Sequence, residues 1–124
     1  MEVVKVSAIG APLAGLFAIV WDSLADTLGT ATVAAIVRRA VGRAAVDSPE
    51  LIDLIILRED LEYRYRLPPA WSENGERSAL AFRALIAEMG RLLIELTGTI
   101  VICKLEAIPE LRSCGLVWRT EVTN

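Results

Sequence analysis

From Pro12 onward apolar residues recur three and four positions apart, and Leu13, Leu16, Phe17, Val20, Leu24 and Leu28 share one face of a helix. The spacing predicts a helix over residues 12–28, with proline tolerated in its first turn and Gly29 as its stop. Val33, Ile36, Val37, Ala40, Val41 and Ala44 repeat the rhythm, so a second helix follows at once, with Thr30 or Thr32 placed to cap it. Two helices joined this tightly are expected to fold back as an antiparallel hairpin.

The period then changes. Asp47-Ser48-Pro49-Glu50 combines a capping serine, a proline suited to a first helical position and an early acid, which predicts a single helical turn. Leu61, Tyr63, Tyr65 and Leu67 alternate with Glu62, Arg64 and Arg66, the pattern of a strand with one buried face. Ile52, Leu54 and Ile56 alternate similarly, so Glu59-Asp60 is read as the turn of a β-hairpin, although it lacks the glycine such turns favour. Pro68-Pro69 ends the strand, and residues 68–76 read as an exposed loop.

Helical spacing returns over Ser78–Leu96, with Leu85, Met89, Leu92, Leu93 and Leu96 inward and Glu88, Arg91 and Glu95 paired on the outer face. After Thr97-Gly98, Val101, Leu105 and Ile108 favour a short helix over 99–107, with a strand as the rival because Ile100-Val101-Ile102 is β-branched. Leu116–Val122 is rich in strand formers and is expected to return beside the hairpin. Glu2–Val6 alternates weakly and suits an edge strand or a flexible start over residues 1–8. Together these elements predict one compact α+β domain spanning 1–124. It comprises a helical hairpin, a small antiparallel sheet made of the β-hairpin plus the C-terminal strand, and a long helix of the C-terminal half packed on one face.

Composition changes this picture in two ways. Counting glycine and omitting tyrosine, about 59% of the 124 residues are apolar, against roughly 45–50% in ordinary soluble domains. A chain this short cannot hide such an excess well, so a self-associating chain, a homodimer by preference, or a ligand cavity is expected. The chain also has no histidine, which removes imidazole bases, Ser-His and Cys-His nucleophile pairs and histidine metal ligands.

Charge adds little. Thirteen basic and 16 acidic side chains give a net charge of −3, with no basic excess in either half to point to nucleic acid. The apolar run Val6–Trp21 is broken by Gly10, Pro12 and Gly15 and falls short of the roughly 20 residues a membrane span needs. With only Cys103 and Cys114 as cysteines, both in apolar surroundings, buried reduced thiols and a cytoplasmic setting are expected.

No residue pattern carries a catalytic, cofactor or metal assignment. Asp22 and Asp26 share a helix face but lack further oxygen ligands at matching spacing, and Glu59, Asp60 and Glu62 read as a wet turn. Two clusters remain as contact candidates. Arg38, Arg39 and Arg43 lie on the second helix, where the 39/43 spacing could fork an anion or meet a partner. Tyr63, Tyr65, Trp71 and Trp118 form an aromatic wall if the sheet assembles, with Trp71 either tucked onto the sheet or free to anchor a partner or ligand. The expectation is a non-catalytic interaction or regulatory domain associating through apolar helix faces. Its alternative is a sensor holding a small apolar or anionic ligand between helices and sheet.

Overall fold

A computed structural model describes residues 12–73 and 75–113. The expected strands at 2–6 and 116–122, and with them Trp118 and Cys114, lie outside the described residues. Within them the fold is α+β, mostly helical with one two-stranded antiparallel sheet.

Helix α1 spans Leu13–Leu28 and buries Leu13, Leu16, Phe17, Val20, Trp21 and Leu24 along the stripe its sequence lays out. Gly29 ends it at φ 88°, ψ 152°, a backbone region almost confined to glycine, and donates its N–H to the Ala25 carbonyl at 2.8 Å. That one residue also opens α2, Thr30–Ala44. Neither Thr30 nor Thr32 caps α2, because helix entry falls at Gly29 and puts Thr30 already inside the first turn. Ser48 likewise makes no side-chain cap for the 3₁₀ turn Pro49–Asp53.

The β-hairpin joins β1, Ile55–Glu59, to β2, Glu62–Arg66, through Asp60-Leu61. Asp60 adopts φ 56° and so fills the left-handed turn position that the sequence lacks a glycine for, a conformation aspartate tolerates. Pairing Glu59 with Glu62 puts Leu61 in the loop rather than at the start of the inward row, and it is 86% exposed. Tyr63, Tyr65 and Ile56 face the helices, with β2 lying against α2.

A second 3₁₀ turn, Pro69–Glu73, leads to the long helix α3, Glu76–Thr97. Instead of lying to one side, α3 sits roughly in the centre, meeting α2, α4 and both 3₁₀ turns. Its broad apolar face explains this, since Ala81, Phe82, Leu85, Ile86, Met89, Leu92 and Leu93 are all buried. Leu96 departs from the expected inward row and is 65% exposed. Beyond Gly98, α4 (Ile100–Glu106) fills that end of the core with Val101, Ile102 and Leu105 instead. The segment is a helix and not the rival strand, and Cys103, expected to be buried, is exposed between the inward positions. A last turn, α5, covers Pro109–Arg112.

No helix among the described residues is long and apolar enough to cross a membrane.

Candidate functional site

A connected series of rings links the core to the hairpin. Phe82 meets Trp71 edge to face at 5.5 Å, Trp71 reaches Phe17 at 6.3 Å, and Phe17 meets Tyr65 at 4.7 Å. Trp21 completes the series, 5.0 Å from Tyr65. Such tilted and edge-on contacts match the ring quadrupoles as well as burying area.

Trp71 belongs to the interior of this series. It is 2% exposed, and its indole N–H donates to Glu50 Oε2 at 2.8 Å, so it is tucked into the core and its polar handle is occupied. It is not the exposed anchor of a loop. The expected wall therefore forms differently: Tyr65 and Trp71 meet only through Phe17, and Trp21 takes a place that the sequence reading did not give it. A large aromatic at the edge of an apolar stripe, directly before Asp22, was the available signal.

The three arginines of α2 do not converge. Arg38 holds its guanidinium 5.8 Å from the centre of the Tyr63 ring, and Arg58 of β1 sits 5.7 Å from the same ring. Arg43 points instead to Glu88 at 3.9 Å, where Arg91 also approaches at 3.8 Å. Those distances give attraction rather than hydrogen bonds, and Glu88 Oε1 is buried without a hydrogen-bond partner. Arg39 is exposed between the two.

Beside the buried Trp21 end of the aromatic series, a cleft of about 510 Å³ opens between α1 and β2. Trp21, Asp22 and Ala25 line one side, Thr30 the α2 entry, and Glu62, Tyr63, Arg64 and Tyr65 the other. The hairpin register decides what β2 shows there. With Glu59 and Glu62 flanking a two-residue loop, the backbone groups of Glu62, Arg64 and Arg66 turn toward β1, and those of Tyr63 and Tyr65 turn outward. The Tyr63 N–H duly reaches out to Thr30 Oγ1 at 3.4 Å. The outward N–H of Tyr65 and the outward carbonyls of Tyr63 and Tyr65 have no cross-element backbone partner among the described residues.

Burial, with the Asp22 carboxylate adding to it, raises the Tyr65 phenol above its ordinary pKa and keeps it neutral. Arg64 is held by Glu59 through Nε at 2.9 Å. Asp26, one turn beyond Asp22, is exposed and does not line the cleft. Among the described residues no three histidine, cysteine or acidic side chains are grouped to hold a metal ion. A smaller and more enclosed depression of about 440 Å³ lies at the other end of α2, where Asp47, Glu50, Arg77 and Leu80 meet.

The chain matches no protein-family model, no curated protein and no solved structure, so the side chains of the cleft are themselves the basis for any role assigned to it.

Proposed function

We propose that the chain is a non-catalytic protein-interaction domain, and that it docks an extended segment of a partner in the cleft between α1 and β2. The observation that carries this reading is the outward edge of β2. The outward N–H of Tyr65 and the outward carbonyls of Tyr63 and Tyr65, which have no backbone partner among the described residues, border an open groove, and such groups are what strand addition by a peptide uses.

The cleft's shape favours a segment over the alternative of a small ligand. Small molecules are held in pockets that enclose most of their surface, whereas this groove is open along a strand. Most of the stripes expected to associate across a dimer are spent within the chain, with Leu16, Phe17, Val33 and Val37 fully buried, while Leu96 and Ile100 stay exposed. The hairpin edge is the exposed surface that also carries hydrogen-bonding groups for a partner. The absence of histidine from the sequence supports the non-catalytic part of the reading.

Selection of a randomised heptapeptide library on the full chain tests this, with selected peptides then titrated against the protein by NMR. The amide signals of Glu62–Arg66 and the indole signal of Trp21 should shift together. N-methylating alternate peptide residues should cost about tenfold in affinity in one phase and little in the other, because strand addition uses every second amide. Peptides that shift only residues away from the cleft, or a library that yields no binder, would overturn the proposal.

A further inference from the structure

The outward N–H of Tyr65 and the outward carbonyls of Tyr63 and Tyr65 find no backbone partner among the described residues. The chain itself continues within reach of them. Lys104 Nζ donates to Thr27 Oγ1 at 3.1 Å, which sets α4 against the end of α1 where Ala25 and Thr30 line the cleft. After α4 the chain makes the short turn α5, whose Ser113 N–H donates to the Pro109 carbonyl, and residues 114–124 follow. Extended at roughly 3.3 Å per residue, they reach about 36 Å. That exceeds the length of a 16-residue helix such as α1, about 24 Å.

The sequence of this segment alternates as a strand does. Leu116, Trp118, Thr120 and Val122 form one row, and Val117, Arg119 and Glu121 the other. β2 is divided in the same way, with Tyr63 and Tyr65 toward the helices and Glu62, Arg64 and Arg66 on the outer face. Antiparallel pairing of Trp118 with Tyr63 and of Leu116 with Tyr65 lays the apolar row over the cleft. It also sets Arg119 opposite Glu62 and Val117 opposite Arg64, so opposite charges meet. A register two residues along would instead oppose Arg119 to Arg64 and Glu121 to Glu62.

We infer that Leu116–Val122 of this chain pairs antiparallel with the outward edge of β2, with Trp118 over the cleft, and that a docking segment has to displace it. This regulation rests on the docking role proposed above, whereas the pairing stands or falls separately. Tethered to α5, the segment is present at high effective concentration and competes with any free peptide. In this pairing the Tyr65 N–H donates to the Leu116 carbonyl, and the Trp118 N–H donates to the Tyr63 carbonyl.

Hydrogen exchange of the Tyr65 amide in the full chain tests the pairing. It should speed about tenfold in Trp118→Pro, which lacks the N–H that meets Tyr63, and change little in Val117→Pro, whose nitrogen points away from β2. Trp118→Pro should also raise the affinity of a heptapeptide selected from the randomised library about tenfold, because the segment no longer opposes it. Unchanged exchange and affinity in Trp118→Pro, with peptides still shifting the cleft signals, would overturn this inference and leave the docking role standing. Faster exchange without a gain in affinity would overturn the regulation. If no peptide shifts the cleft signals, the docking role and its regulation fall together, and Tyr65 exchange alone decides the pairing.

Discussion

Between α1 and α4 a side chain such as Phe17 or Leu85 is enclosed on every side, whereas no residue from Ile55 to Arg66 is fully buried. The hairpin is secured along one face only. Ile56, Tyr63 and Tyr65 rest on the helices, while Ile55, Leu57, Arg64 and Arg66 belong to the opposite face. Two strands alone are marginally stable in water, so the helical part acts as scaffold and the hairpin as its dependent, with the outward backbone groups of Tyr65 left without a backbone partner among the described residues. The region enclosed least by the core is thus also the one whose outward backbone groups are least engaged among the described residues.

The strongest way to break this contrast is to remove one side chain from each region. Phe17→Ala should cost about 3–5 kcal/mol, because it leaves a cavity at the centre of the ring series. Leu57→Ala on the outer sheet face should cost about 1 kcal/mol. Urea unfolding measures both, and equal costs would erase the distinction.

Backbone conformation sharpens it next. An added Cβ at Gly29 meets nothing within 4 Å, so Gly29→Ala isolates the strain of φ 88°, ψ 152°, about 1–3 kcal/mol. Asp60→Asn, at the hairpin's own left-handed position, should shift the midpoint by under about 0.5 kcal/mol, since asparagine tolerates that conformation equally well. A reversed order in the same urea experiment would place the tighter backbone constraint in the hairpin.

The smallest effect lies at the seam and shows only in alkali. Because Tyr65 has a raised pKa in the folded chain, its contribution is fully present below the unfolded value of 10.0 and is lost as pH climbs through the folded value. The unfolded chain ionises first and draws the equilibrium toward itself. Subtracting the stability curve of Tyr65→Phe from that of the parent should therefore reveal a decline beginning near pH 10.0 and none at neutral pH. A flat difference would mean that Tyr65 is as well solvated folded as unfolded.

Much of the helical scaffold could be read from the sequence, because stripes such as Leu13, Leu16, Phe17 and Val20 are local and their period is unambiguous. The hairpin was legible from the alternation through Tyr63 and Tyr65. Its exact turn was not, since whether Leu61 belongs to the loop or the strand depends on pairing with β1 rather than on its own neighbours. Leu96 and Cys103 were misplaced for a related reason: the turn at Gly98 decides which element fills that end of the core. The cleft was the least visible feature. It depends on Thr30 meeting Tyr63 across 33 positions and on Trp21 meeting Tyr65, and no periodicity records such encounters. Side-chain chemistry at Tyr63, Tyr65 and Asp22 was noticed, but spacing alone could not assemble it. The arginines show the converse, since one helix face held three of them and different partners divided Arg38 from Arg43.

The hydrogen bond between Glu50 and Trp71 has a consequence for how the hairpin moves. These residues stand 21 positions apart and bracket the whole of β1 and β2, so the bond pins both ends of the excursion to the scaffold. A hairpin that loosens from α2 remains a closed loop with its ends in place. Closing a loop costs entropy that grows only slowly with its length, and here that cost has already been met at the base when the strands separate. Re-pairing then searches a ring of fixed circumference rather than an open chain, which lets the hairpin recover its register without disturbing the fold beneath it.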